Sequence, residues 1–271
     1  MTQALLQHLL VAWRSGLRSR SFQALVILGL LAMGGAYLAA EFSGRQPATV
    51  ALDVGLSAIR IIGLLLILFW CQEFVGNEIE RRTVFFALAY PAPRSSYLVG
   101  RYLGLILLGA LAIAGLGVLL IGTVHLAGTG FIHASPVNLG VAYSLTLAYI
   151  LLDMAVVAAF GIMVSAISTT PFLPLALGLA FAVAARSLGP ALDFLLSGSS
   201  TAKELQGAFL PALDTIRWLL PDLSRLDIRP ATLYGQWPSD AYLSGSAIMA
   251  LAYIGIMLSL AIWAFSRRQF N

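Results

Sequence analysis

The chain has 271 residues, of which 59% are hydrophobic and only 10% are charged. With a mean hydropathy of +0.89, this composition excludes an ordinary soluble domain and indicates an integral membrane protein. The formal net charge is +4. This basic surplus is explained by orientation in a lipid bilayer, so nucleic-acid binding is not expected. The single cysteine, Cys71, excludes an intramolecular disulfide and is predicted to be a core residue.

Residues 1–20 are predicted to form an interfacial helix. Leucines recur there at helical spacing and are followed by Arg14, Arg18 and Arg20, a pattern typical of a helix on an anionic membrane surface. A cleaved signal peptide is the alternative, because a basic region precedes an apolar one. The apolar run of residues 22–40 is longer than a signal core, so we interpret it as an uncleaved first span.

Run length predicts an all-α fold with six transmembrane helices, since about twenty apolar residues cross a bilayer. Residues 21–271 would then form one transmembrane domain. Six spans put both termini on one side, which the positive-inside rule makes cytoplasmic. The spans are predicted at residues 21–41, 54–75, 98–127, 138–167, 171–190 and 242–266. The cytoplasmic face would then hold Arg14, Arg18, Arg20, Arg81, Arg82, Arg94, Arg101, Arg267 and Arg268.

The cytosolic loop between the second and third spans contains a predicted amphipathic helix. Asn77 is a favourable N-cap, and Glu80 three residues later would complete a capping box. Pro91 would end the helix, because the residue before a proline is pushed out of the helical region. We therefore expect a capped helix of about three turns at the membrane surface, with an apolar face available to another protein.

Two motifs carry a resemblance to a known family. The loop reads Glu73, Glu78, Glu80, Arg81, Arg82 and Thr83, then Pro91, Arg94, Tyr97, Leu98, Gly100 and Arg101. This order is similar to the loop between the second and third spans of ABC-2 type exporter permeases, and in particular of permeases from multicopper-enzyme maturation systems. The stretch Trp218–Arg229, WLLPDLSRLDIR, resembles the Leu-Pro-Asn/Asp segment that many of these permeases carry before their last span.

The resemblance implies a permease subunit of an ATP-driven exporter in a bacterial inner (cytoplasmic) membrane. It implies two copies of an ABC ATPase subunit as partners and a second permease copy, as a homodimer or a homologous heterodimer. The loop of residues 76–94 would carry the coupling helix that docks on the ATPase. The implied docking residues are Glu78, Glu80, Arg81, Arg82, Thr83, Val84, Phe85 and Leu88.

The sequence contains no ATP-hydrolysing motif of its own. Lys203 is the sole lysine and stands in GSSTAKEL, where Glu204 replaces the Ser or Thr of a P-loop. We therefore expect this chain to be no enzyme and to hold no cofactor, with ATP and Mg on the partner subunit. No HxxxH or CxxC pattern or methionine-rich cluster supports a metal site.

Two charged residues fall within predicted spans. Arg60 lies in the outer half of the second span and Asp153 near the middle of the fourth. Ionised groups at this depth face a bundle interior or a wet cavity, so both are candidates for the transport path. A structural ion pair that fixes helix packing is the alternative. Arg186 lies closer to the outer interface and is interpreted as a snorkelling anchor.

The long connection of residues 191–241 is predicted to be external. Short amphipathic or re-entrant helices before the sixth span are indicated by its apolar residues Phe209, Leu210, Leu213, Ile216, Trp218 and Leu219. Two other functions stay open at this point. One is an ion-driven secondary transporter, for which inverted repeats or broken helices would be typical. The other is an intramembrane enzyme centred on Asp153, although no second catalytic group stands at a fixed spacing from it.

Overall fold

The computed structural model describes residues 2–80, 94–129, 137–168, 170, 172–196 and 220–268. Six helices in this part are long and apolar enough to cross a membrane, which confirms the predicted all-α, six-span fold. The described α-helices are α1 (Thr2–Leu17), α2 (Arg20–Glu41), α3 (Pro47–Cys71), α4 (Asn77–Glu80), α5 (Arg94–Gly128), α6 (Val141–Ile167), α7 (Phe172–Leu196), α8 (Arg229–Tyr234) and α9 (Asp240–Arg267).

The helix boundaries follow from caps and prolines in the sequence. Ser19 separates α1 from α2, because its backbone is extended and its Oγ accepts a 3.1 Å hydrogen bond from the Phe22 amide. Pro47 stands at the start of α3, where its missing N–H costs nothing, so this helix begins seven residues before the predicted span. Gly235 ends α8 in the left-handed region, with φ of 68°.

The predicted N-cap at Asn77 is wrong. Asn77 has helical backbone angles, φ −67° and ψ −33°, and α4 continues α3 through a π-helical turn at Gln72–Gly76. Asn77 therefore continues a helical backbone instead of capping a new helix, and the predicted capping box with Glu80 has no free N-terminus to cap. The structure instead extends the second span beyond its apolar part, to at least Glu80. The chain from 81 to 93 lies outside the described residues.

The central helix of the bundle is α6, most of whose side chains are buried, whereas α2 and α9 expose most of theirs. Helix α6 packs against α9, α7, α5 and α3, and α3 packs against both α2 and α5. Outward-facing leucines such as Leu31 and Leu251, exposed by 67% and 60%, suit a lipid environment. Cys71 is buried, which confirms its prediction as a core residue.

Helix α1 packs along α5 through two small residues. A Cβ atom at Gly100 would lie 2.7 Å from the His8 Cβ, and one at Gly104 would lie 2.7 Å from the Ala12 Cβ. Only glycine allows such a close approach of the two backbones. Helix α1 is thus held against the first turns of the third span.

The connection before α9 enters the bundle. A 3₁₀ turn at Leu223–Leu226 leads into α8, and the side chains of Leu223 and Ile228 are almost wholly buried. The turn packs against α7, α6 and α9, and α8 packs against α6 and α3. We call residues 222–234 the outer segment. It corresponds to the short helices predicted before the sixth span.

Candidate functional site

A buried carboxylate near the middle of α6 is the centre of the candidate site. Asp153 has no solvent-exposed surface. Its Oδ2 accepts hydrogen bonds from Arg60 Nε of α3 at 3.0 Å and from Arg186 Nη2 of α7 at 2.8 Å. Two cations on neighbouring helices therefore converge on one oxygen, and the three helices α3, α6 and α7 are joined at mid-span.

Arg60 extends this cluster toward the outer segment. Its Nη1 donates a 2.8 Å hydrogen bond to Oδ2 of Asp227, which follows the 3₁₀ turn. Arg60 lies about 20 Å along α3 from Pro47 at 1.5 Å per residue. Asp227 therefore contacts α3 in the middle of that helix and not at its first turn.

Arg229 completes the cluster from the outer side. Its Nη2 bonds Asp227 Oδ2 at 2.7 Å, and its Nη1 reaches Ser57 Oγ at 2.6 Å and Asp53 Oδ1 at 3.3 Å, both on α3. We call the whole assembly the charge network, formed by Asp53, Arg60, Asp153, Arg186, Asp227 and Arg229.

The charge network is balanced, with three carboxylates and three guanidinium groups. This balance explains how so many charges persist among apolar helices, because each ion is compensated at hydrogen-bond distance. The other oxygen of Asp153, Oδ1, is buried and accepts no hydrogen bond within the described part of the chain. A water molecule or a substrate donor could use this acceptor.

Asp227 and Arg229, the two members of the charge network on the outer segment, stay ionised at neutral pH. Burial opposes the ionisation of Asp227, but the hydrogen bonds from Arg229 and the charge of Arg60 outweigh it and lower the pKa of that carboxyl. The hydrogen bond to Asp227 raises the pKa of Arg229 against the opposing effect of burial. The contacts between the outer segment and α3 are therefore charge-assisted at physiological pH.

Sequence reasoning found part of this site. The structure brings the two predicted path residues, Arg60 and Asp153, into direct contact. The interpretation of Arg186 as a snorkelling anchor is wrong, because its guanidinium turns inward to Asp153. Asp227 and Arg229 were not predicted to belong to this site.

A sequence signal for the outer half of the network was present. Asp53, Ser57 and Arg60 stand at i, i+4 and i+7, which places three polar side chains on one face of an otherwise apolar helix. Such a polar stripe needs a polar partner inside the bundle. The charged pair Asp227 and Arg229 of the following connection supplies it.

The predicted docking residues are only partly described. Glu78 lies in α4, with both carboxylate oxygens bonded to α5: Tyr97 donates its hydroxyl at 2.7 Å, and Arg101 donates from Nη2. The backbone of Glu80 belongs to the same helix. The remaining docking residues lie outside the described part of the chain, and their role stays a prediction. They are Arg81, Arg82, Thr83, Val84, Phe85 and Leu88.

The fold and the charge network define a multi-pass membrane protein with a polar centre, a class to which transport proteins belong. The family profile described as ABC-2 family transporter protein matches residues 12–270. The chain therefore belongs to the ABC-2 transporter family. A comparison with curated proteins found no match.

Proposed function

We propose that this chain is the permease subunit of an ATP-driven ABC exporter, which uses ATP hydrolysed by a separate ATPase subunit docked on residues 76–94. The observation that carries the proposal is family membership over residues 12–270. Two ATPase subunits would bind below a pair of permeases, with ATP and Mg on the ATPase. The expected location is a bacterial inner membrane with both termini in the cytoplasm.

The course of the second span supports a protruding docking loop. Helix α3 continues through the π-helical turn into α4, so the backbone leaves the apolar part of the span as a helix. Trp70 and Phe74 stack with ring centroids 6.3 Å apart at this junction, and Glu78 is fixed to α5. The chain that follows therefore begins from a well-packed base, as a docking element requires.

The proposal also includes a substrate class, which rests on the resemblance of the loop. The loop of this chain resembles that of permeases from multicopper-enzyme maturation systems. A maturation factor for a copper enzyme is therefore the first substrate class to test. ATPase stimulation across a panel that also includes lipids, glycans and peptides would separate this class from the others.

The first experiment is a pull-down of the ATPase with the tagged permease, followed by ATP-dependent transport in liposomes. Retention of an ATPase whose hydrolysis drives flux is the expected result. A permease that binds no ATPase and is inactive with ATP would contradict the proposal.

Orientation can be tested with single cysteines in a Cys71→Ser background. Gly44→Cys places a thiol in the loop between α2 and α3, where an added Cβ meets nothing within 4 Å. Ser15→Cys places one on the exposed side of α1. An impermeant thiol reagent added to intact cells should label position 44 and spare position 15. The reverse pattern would put the docking loop outside, away from ATP.

One observation favours a second candidate function, an ion-driven secondary transporter. Asp153 is a buried carboxylate with one oxygen that is not hydrogen-bonded within the described residues, and proton-coupled transporters use such groups. Flux driven by an ion gradient in liposomes that contain this chain alone would favour this alternative. A dependence on ATP and the ATPase would exclude it.

A further inference from the structure

We propose that Glu78, Tyr97 and Arg101 form a clamp that makes the base of the docking loop one rigid unit, through which movement of the ATPase reaches the spans. We call these three residues the loop clamp. The inference rests on the proposed function, because it assigns the mechanical role of the same loop. It differs from the docking role predicted for Glu78, since it assigns this carboxylate to α5.

The loop clamp joins the two ends of the docking loop, at the points where the chain leaves the second span and enters the third. Glu78 stands at the end of the helix that continues the second span, and Tyr97 and Arg101 stand in the first turns of the third. The Tyr97 hydroxyl donates to Glu78 Oε2 at 2.7 Å, and Arg101 Nη2 donates to Oε1. Each carboxylate oxygen thus receives one donor from α5, which fixes the orientation of α4 against it.

Burial makes this contact stiffer than an ordinary surface ion pair. The side chain of Arg101 is 5% exposed and that of Glu78 is 26% exposed, so water screens the pair poorly. The Arg101 guanidinium also lies over the Tyr97 ring, 5.5 Å from its centroid. A partly buried carboxylate that accepts two hydrogen bonds, one of them from a buried guanidinium, resists the separation of the two helices.

Helix α1 belongs to the same unit. His8 packs edge-on against Tyr97 at a centroid distance of 5.6 Å. The glycine contacts described above hold α1 against the turn of α5 that carries Arg101: Gly100 precedes Arg101 and Gly104 lies one turn later. Phe265 of α9 also stacks on Tyr97, with ring centroids 5.7 Å apart. Four helices, α1, α4, α5 and α9, therefore meet at one tyrosine.

The π-helical turn shows why a clamp is needed. Gln72–Gly76 lies between the membrane-embedded part of α3 and Glu78, and such turns interrupt the regular hydrogen-bond ladder of a helix. A push on the loop could be absorbed there if α4 were free. Because Glu78 is fixed to α5, the same push moves α5 and α1 as a body, and contiguous packing carries it into the spans.

The test compares three permease variants within the complex that the permease forms with its ATPase. Glu78→Gln removes the charge of the loop clamp. Tyr97→Phe removes a single hydroxyl and keeps the ring that packs on His8 and Phe265. The double variant Glu78→Arg with Arg101→Glu reverses the pair. The matched control is Glu41→Gln, which neutralises an exposed carboxylate at the C-terminal end of α2.

The measurement is hydrogen exchange of each complex without nucleotide and after trapping with Mg-ATP and orthovanadate. In the wild type and in Glu41→Gln, trapping should change exchange in peptides of α3 and α5 as well as in the loop. In Tyr97→Phe, ATPase binding should persist while the change in α3 and α5 falls by about tenfold, the effect expected for the loss of one hydrogen bond to a charged group. In the complexes that Glu78→Gln forms, the change in α3 and α5 should fall to a similar extent. The reversed pair should recover part of this change.

The outcomes separate the two proposals. A wild-type permease that retains no ATPase would remove the proposed function. Complexes that form normally but respond to nucleotide as strongly in Tyr97→Phe and Glu78→Gln as in the wild type would overturn the loop clamp alone. If Glu78→Gln fails to fold, Tyr97→Phe decides, because it leaves the ring packing intact. A wild-type complex with no nucleotide response in α3 and α5 would also overturn it.

Discussion

Arg60 and Asp153 are 93 residues apart in the chain, yet Arg60 Nε lies 3.0 Å from Asp153 Oδ2 at the middle of the bundle. This contact joins the second and fourth spans. Since Arg186 bonds the same oxygen, the fifth span is attached to them as well. These contacts thus link α6 to two of the helices that pack around it, α3 and α7.

Removal of the Asp153 charge should destabilise the protein. In Asp153→Leu, Arg60 and Arg186 would stay in the bundle interior without their shared counter-ion, and breaking a buried pair in this way costs about 3–5 kcal/mol. We expect a lower melting temperature in detergent and a loss of transport or assembly. Glu41→Gln, which neutralises an exposed carboxylate, should change the melting temperature little. An unchanged melting temperature and unchanged transport in Asp153→Leu would remove Asp153 from the site.

The outer segment should depend on Arg229. Arg229→Gln removes the bonds to Asp227, Ser57 and Asp53, and hydrogen bonds to charged groups contribute about 1.5–3 kcal/mol each. We expect the segment to open more often. The readout is the reaction of a cysteine at Thr146, a buried residue whose hydroxyl lies 2.7 Å from that of Thr232 in α8.

The control for this prediction is Arg225→Gln. Arg225 pairs with Asp222 on the same segment, but its side chain is 60% exposed, and exposed pairs contribute roughly 0–1 kcal/mol. Labelling of the cysteine at position 146 should therefore rise in Arg229→Gln and stay near the wild-type level in Arg225→Gln. Equal labelling in both variants would mean that the network does not hold the outer segment.

Sequence reasoning predicted the number of spans and the depth of Arg60 and Asp153, because both depend on hydropathy along the chain. It could not predict that Arg186 turns inward, since the rotation of a helix about its axis is set by its neighbours and not by run length. Nor could it predict that Asp227 belongs to the charge network, because this depends on a contact with Arg60, which is distant in the chain. The capping signal at Asn77 was overridden because α3 does not end before it, and tertiary packing outweighs local propensity there.

The contact between α1 and α5 should weaken in mild acid. Burial lowers the pKa of His8, and the positive charge of Arg101 lowers it further against the opposing effect of Glu78. A depressed pKa means that the folded state prefers the neutral imidazole. This stabilisation is present above the unfolded value of about 6.5 and is lost as the pH falls through the folded pKa.

Limited proteolysis of the N-terminal helix measures this effect. Cleavage within α1 should increase from pH 7 to pH 5 in the wild type. In His8→Gln, which cannot titrate, the pH dependence should disappear, although the level at pH 7 can differ. A wild-type profile that is flat over this range would show that protonation of His8 does not loosen α1.

The strongest prediction from sequence concerns Phe85, which lies outside the described residues. The loop is short of surrounding chain that could bury the apolar side chains of Val84, Phe85 and Leu88, so a partner protein is expected to cover them. Burial of one large apolar side chain contributes roughly 1.5–3 kcal/mol, and a buried carboxylate in its place would add a desolvation cost. Phe85→Asp should therefore abolish ATP-dependent transport and weaken ATPase co-purification, while the permease still inserts and melts at its normal temperature.

The matched control is Phe42→Asp, because Phe42 is 90% exposed and lies at the opposite end of the spans. Full retention of both ATPase binding and transport in Phe85→Asp would mean that the loop is an ordinary solvated connection.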